Sequence, residues 1–204
     1  GIDTRAFAAP VARDALPGLI KRQGELWIGS LAGLRAVKNL DALIRVLPRL
    51  EQGWHLVIAG EGPERAHLEQ LAIDLGVEDR VHLPGFVADP AQAVGLFDIF
   101  ALSSDSEQFP ISVVEAMAAG LPVASPEVGD VAGMVAEENR RFIVGPRDEG
   151  GLADAIEQLA LDPALRETIG KANRARAVAC YDEARMISAY RALYASAAGR
   201  EELG

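Results

Sequence analysis

The chain has 204 residues, half of them hydrophobic, and a formal net charge of -10, so it is long and apolar enough for one large domain with a full core, and it is disfavoured as a non-specific binder of nucleic acid or of an anionic membrane. Its single cysteine, Cys180, excludes an intrachain disulfide and a CxxC metal pattern, and its three scattered histidines form no metal-ligand cluster. No run of about 18 apolar residues is free of charges or breakers, and the opening GIDTRAFAAPVARDALPG has no signal-peptide core, so a soluble cytoplasmic fragment with no transmembrane segment is expected.

The first apolar run, ELWIGSL (25–31), reads as a buried strand, and the loop after it, AGLRAVKN (32–39), sets Gly33, Arg35 and Lys38 at its carboxyl end. Two cations beside a glycine in an acidic protein suit a phosphate, although loop cations are more often plain solvated charge. In NLDALIRVLPRLEQ (39–52) the residues Leu40, Leu43, Ile44, Leu47 and Leu50 recur at helical spacing, with Pro48 as a break or kink. The second strand is WHLVIA (54–59), and the GEGPER loop (60–65) carries Gly60 and Gly62 where strand turns into helix. Backbone amides can approach a ligand there, or the chain can simply turn tightly. Arg65 stands where a dinucleotide fingerprint needs its third glycine, which disfavours a dehydrogenase. PERAHLEQLAIDLG (63–76) predicts a helix with Pro63 in its first turn and Gly76 as its cap.

Four more apolar runs follow: RVHL (80–83), FDIFAL (97–102), PVAS (122–125) and RFIVG (141–145). Most do not alternate apolar with polar, as expected of strands covered on both faces. The alternation of strand and helix predicts an α/β fold, a single Rossmann-like doubly wound parallel sheet of about six strands flanked by helices, with its ligand at the carboxyl ends of the strands. From about residue 148 the pattern is wholly helical, and the last segment places Ala184, Ile187, Tyr190, Leu193 and Tyr194 on one stripe that needs a surface to dock on. No repeat, low-complexity tract or long linker divides residues 1–204, which read as one domain.

The stretch SSDSEQFPISVVEAMAAGLPV (103–123) is the most informative. A polar loop leads into a helix with Pro110 suited to its first turn, and Gly120 and Pro122 end it. Glu107 then lies in the loop before the helix and Glu115 about one turn inside it, with the free amides of Ile111 to Val113 between them. Such a helix start favours an anion such as a pyrophosphate. A carboxylate on so apolar a helix needs strong donors, and ribose hydroxyls or a structural hydrogen bond would serve.

The spacing Glu107-x7-Glu115, the phrase EAMAAGLPVASPEVGD, the earlier GEGPER and VHLPGFV and the KNLDALI after the first strand together resemble the C-terminal, donor-binding domain of glycosyltransferase family four, retaining GT-B enzymes that use nucleotide-sugars. The similarity runs from GIDTRAF, like the segment just after the interdomain linker, to the last helix, so the resemblance implies one half of a GT-B fold. It assigns Glu115 to the ribose hydroxyls, Glu107 to the donor sugar or reaction centre, and Lys38 to the diphosphate leaving group. Gly60 would lie close to the nucleotide, Phe86 and Val87 would line the base pocket, and the backbone at Phe109, Pro110, Ile111 and Ser112 would meet phosphate and sugar, although Pro110 has no N–H to give. Three positions depart from the family. Gly33 stands where an arginine is usual, with Arg35 two residues on as a substitute; EQFP replaces EGFG at 107–110; and Gly129-Asp130-Val131-Ala132-Gly133 lacks the usual glutamate.

The resemblance therefore implies a transferase that needs no metal and no cofactor beyond its donor, a UDP-, GDP- or ADP-sugar. Its acceptor site belongs to an N-terminal domain outside this chain, on which the final helix would pack, unless that stripe packs on its own sheet. The fragment alone would bind nucleotide weakly and catalyse nothing, and the intact protein would sit in the cytoplasm, at the inner face of the membrane. A non-catalytic nucleotide-sugar-binding module is the alternative from another class, and an epimerase or phosphorylase of similar architecture a third.

Overall fold

The structure is a computed structural model that describes residues 1–201. Six parallel strands, β1 (Leu26–Leu31), β2 (Trp54–Ala59), β3 (Val81–Gly85), β4 (Ile99–Ala101), β5 (Val123–Pro126) and β6 (Ile143–Val144), form one sheet in the order β3-β2-β1-β4-β5-β6. The helices are α1 (Asp41–Val46), α2 (Arg65–Asp74), α3 (Pro90–Val94), α4 (Ile111–Ala118), α5 (Val131–Met134), α6 (Glu149–Leu161), α7 (Pro163–Cys180) and α8 (Glu183–Glu201). The expected α/β class and doubly wound sheet are what the chain adopts.

Successive strand residues feed two separate cores. Ile28, Leu56, Ile58, Ile99 and Ala124 pack with Leu43 and Ile44 of α1, Leu68 of α2 and Ile156 of α6 on one face. Trp27, Val57, Phe100 and Val123 pack with Val94 of α3, Val113 and Met117 of α4 and Leu16 of the amino-terminal segment on the other. Burial on both faces is why these runs read as unbroken apolar stretches.

The strand order places the reversal of winding between β1 and β4, which pair through Ile28 with Ile99 and Gly29 with Phe100. Loops leaving neighbouring strands there run to opposite faces and open a crevice at the carboxyl edge. Two helix boundaries correct the sequence reading. Pro63 lies before α2, whose cap is Glu64, rather than in its first turn. Pro110 is itself the cap of α4, with extended backbone (ψ 105°), and helical geometry begins at Ile111. Pro48 ends α1 as expected, the chain tightening into a 3-10 turn over Leu47–Arg49.

The apolar stripe of α8 does not fold back on its own sheet. Ile187, Tyr190, Leu193 and Tyr194 are all exposed, Tyr194 to 71%, and Met186 beside them is exposed too. That overturns the reading in which the stripe packs within this chain. The amino-terminal strand segment nonetheless ties to the start of α8, with Ile2 N donating to Tyr181 O at 3.0 Å and Glu183 N to Ile2 O at 2.9 Å.

Candidate functional site

A cleft of about 470 Å³ lies at the β1/β4 reversal, lined by Gly33, Gly60, Glu61, Phe86, Val87, Ser112 and Glu115 among others. The lining residues lie at the carboxyl ends of β1, β2 and β3, at the start of α3 and on α4. Phe86 is 74% exposed, an aromatic face held open to solvent at the cleft wall. An aromatic side chain so exposed at a cleft wall suits stacking on a planar group.

Gly60 is fixed by close approach. It has φ +155°, and a Cβ there would stand 1.9 Å from the carbonyl oxygen of Ala32. The adjoining backbone is pinned from both sides, since Gly60 N donates to Gly85 O at 2.8 Å and Ala32 N to Ala59 O at 3.1 Å. Gly33 is different: a Cβ would come no nearer than 3.6 Å to Glu61 O, with Arg35 Nε at 4.0 Å. The Arg35 side chain therefore folds back beside Gly33, while also bordering a second hollow with Asp41, Glu64 and His67.

Glu115 is half-buried in the cleft on a helix whose Val113, Val114, Ala116, Met117 and Ala118 are all buried. Among the described residues no hydrogen bond reaches its carboxylate, and burial pushes its carboxyl above the ordinary value. Of the helix-start amides, that of Val113 is already used, donating to Pro110 O at 3.0 Å, which corrects the expectation that all were free. The amides of Ile111 and Ser112 have no backbone partner among the described residues.

In the ribose-binding role that the resemblance implies, ligand hydroxyls would meet Glu115 in its ionised form, so nucleotide affinity is expected to fall as pH drops through its raised pKa. The sign for stability is opposite: a carboxyl whose folded pKa is raised contributes stability below its unfolded pKa, and that contribution is lost as pH rises through the folded value. Glu115→Gln should thus leave the ligand-free chain at least as stable at neutral pH and weaken nucleotide binding roughly 10- to 100-fold, the range for hydrogen bonds to a charged acceptor. Calorimetric titration beside thermal melts checks both halves.

Beside the cleft, Lys38 and Glu107 meet. Lys38 closes a 3-10 turn over Ala36–Lys38 that stops at Asn39 in the left-handed region (φ 44°), a conformation asparagine tolerates. Lys38 Nζ lies 2.6 Å from Glu107 Oε1, and both side chains are largely shielded. The same oxygen accepts from Ser104 Oγ at 2.7 Å, and Ser103 Oγ donates to the Lys38 carbonyl at 2.7 Å. Asp105 N donates to Val37 O at 2.9 Å. On the other flank, Asp130 N donates to Gln108 O at 3.0 Å, so the loop that lacks the usual glutamate still supports the 107–108 backbone.

The structure thus gathers Gly33, Gly60, Phe86, Val87, Ser112 and Glu115 around one cleft, and joins Lys38 to Glu107 on the same sheet edge. The side chains of Phe109 and Ile111 turn elsewhere, into an apolar hollow of about 220 Å³ with Tyr181 and Met186, and Pro110 is buried, so only their backbone remains available to the site. Glu61, Ser103 and Ser104 were not singled out from sequence. A run of polar residues ending a buried strand was the signal for the serines, whereas a glutamate between two glycines reads as ordinary loop charge.

Comparison with known proteins gives the same fold. The lipopolysaccharide core biosynthesis glycosyltransferase LpsE of Rhizobium meliloti (strain 1021) is 31% identical over 159 residues, 78% of this chain and 46% of that protein. The crystal structure of Anabaena HepE in complex with UDP matches with a TM-score of 0.84 at 24% identity, over 96% of this chain and 56% of that one. The C-terminal domain of LpcC, a glycosyl transferase group 1 family protein from Francisella tularensis, matches with a TM-score of 0.75 at 23% identity, over 89% of this chain and 98% of that one. The chain spans less than half the length of the curated relatives it matches first. Among the described residues no helix is long and apolar enough to cross a membrane. The family model for glycosyl transferases group 1 matches residues 16–176, and the chain belongs to that family, as one half of a GT-B fold.

Proposed function

We propose that this chain is the donor-binding half of a retaining glycosyltransferase that moves a sugar from a nucleotide-sugar to an acceptor held by a preceding domain. The observation that carries this reading is the half-buried Glu115 carboxylate, without a hydrogen-bond partner among the described residues, in a cleft walled by Phe86, on the same sheet edge as the Lys38–Glu107 pair. In it Phe86 and Val87 hold the base, Glu115 accepts from the ribose hydroxyls, and the Gly60 turn lies against the nucleotide. Lys38, Arg35 and the amides of Ile111 and Ser112 meet the diphosphate charge that develops as the sugar leaves. Glu107 faces the transferred sugar.

The donor's own diphosphate is thus neutralised by side chains and backbone of this chain, with no cofactor beyond the nucleotide-sugar. The preceding domain covers the exposed stripe of α8 and supplies the acceptor. A cytoplasmic location, at the inner face of the membrane for the intact protein, goes with that reading. The competing reading, a binding module without transfer, draws on the glycine at position 33; the Arg35 side chain folded beside it supports the catalytic reading.

The direct test is a thermal melt of the 204-residue chain with UDP, GDP and ADP. A nucleotide present at 100 times its dissociation constant adds about 2.7 kcal/mol, which for a domain of this size raises Tm by roughly 5–10 °C. One base is expected to outperform the other two. Absence of a shift with all three at millimolar concentration overturns the donor site.

A further inference from the structure

We propose that Ser103 and Ser104 are positioning residues of the transfer site, Ser104 orienting the Glu107 carboxylate and Ser103 fixing the turn that presents Lys38. The inference rests on the donor-site reading above. Both serines lie in the loop after β4, yet they are buried, to 4% and 1% exposure. Among the described residues each hydroxyl has one polar partner, and each partner belongs to a residue of the site: Lys38 O at 2.7 Å for Ser103, Glu107 Oε1 at 2.7 Å for Ser104. A loop serine chosen only for solubility would face water.

The arrangement separates two tasks. Glu107 Oε1 accepts from Lys38 Nζ and Ser104 Oγ together, so among the described residues its other oxygen has no donor. Once an anionic diphosphate enters, it competes for the Lys38 ammonium. The Ser104 hydroxyl is a neutral donor with no reason to follow, and it keeps Oε1 engaged and Oε2 directed outward when the ammonium is shared. Ser103 acts on backbone: with the bond from Asp105 N to Val37 O at 2.9 Å, it staples the 36–38 turn to the neighbouring loop across the β1/β4 junction. A lysine on a long flexible stem gains directional precision only if its own Cα is held.

The two serines should therefore fail in different ways. In the intact protein, Ser104→Ala is expected to lower kcat for donor turnover about 10- to 100-fold with the donor KM within about threefold, because the carboxylate is still present but poorly aimed. Ser104→Cys, a near isostere whose thiol is a weak donor, should fall between alanine and wild type. Ser103→Ala should lower kcat about 10-fold as well, through the displaced Lys38, and unlike Ser104→Ala it should have no further effect in a Lys38→Ala background. Melts of the ligand-free variants separate these effects from lost folding, since alanine removes volume without adding any.

Wild-type kcat in both Ser104 variants, alongside an inactive Glu107→Ala, overturns the positioning role and leaves the donor site standing. Loss of Tm with kcat per folded molecule unchanged overturns it as well, by making the serines structural. If instead Glu107→Ala turns over normally, the donor-site reading itself fails, and the proposal with it.

Discussion

Lys38→Ala in the intact protein is expected to lower kcat for sugar transfer by about 10²- to 10³-fold, the effect of removing one preorganised donor from a developing negative charge. The lysine stands at the carboxyl end of β1, shielded on one side by Glu107, with Nζ 2.6 Å from Oε1. In the ligand-free chain this pair keeps the ammonium in place without a bound anion. A leaving diphosphate gains negative charge as the sugar bond breaks, so the ammonium is worth more in the transition state than in the ground state, and kcat should move more than donor affinity. Lys38→Arg should not restore the rate, because a planar fork cannot occupy the place of a compact ammonium between a carboxylate and a phosphate. Glu107→Gln should also be slow, and the double variant should be little worse than the poorer single one, since the two residues act as a unit. Turnover of Lys38→Ala within threefold of wild type, with any UDP-, GDP- or ADP-sugar that the intact protein uses, removes Lys38 from the reaction.

The sheet was legible because its strands are buried on both faces. WHLVIA at 54–59 is unbroken apolar sequence with only His55 in it, and β2 spans those residues. The less regular strands were misjudged at their ends. RVHL stopped one residue short of Pro84, but β3 runs on through Pro84 to Gly85. A proline without an N–H is tolerated there because β3 is the outermost strand of the sheet. RFIVG overran: only Ile143 and Val144 pair, and Phe142 belongs to the preceding 3-10 segment.

The site was half legible for a related reason. Glu115 stood out by local contrast, a carboxylate on an apolar helix, whereas Glu107, eight residues before it in a polar loop, was marked by the spacing that carries the resemblance. The contact between Lys38 and Glu107 spans 69 residues. It depends on β4 lying beside β1 rather than beside β3, which no local pattern states. The role of Ser103 shares that dependence, as its partner is a carbonyl 65 residues away. Strand order, not side-chain chemistry, was the missing information.

Gly60→Ala is the substitution that most directly couples this architecture to binding, and it is expected to cost about 2–4 kcal/mol, from strain at an unfavourable backbone position together with overpacking. The new Cβ would meet the Ala32 carbonyl oxygen at 1.9 Å and its carbon at 2.8 Å. Both are backbone, so no rotamer change relieves the contact. Movement of either strand end breaks the bond from Gly60 N to Gly85 O or that from Ala32 N to Ala59 O. At roughly 2–4 °C per kcal/mol for a domain of this size, Tm should fall by about 4–16 °C. Because the 32–33 and 60–61 backbone forms one wall of the cleft, the nucleotide-induced rise in Tm should be lost as well. Gly33→Ala is the control: its Cβ would clear the nearest backbone by 3.6 Å, so ligand-free stability should change by less than about 1 kcal/mol. That methyl nevertheless projects from the cleft wall near Arg35 Nε, so any loss of nucleotide affinity in Gly33→Ala reports on the ligand rather than on the fold. Equal Tm for wild type and Gly60→Ala would mean that the β1 and β2 carboxyl ends do not approach as closely as the cleft requires.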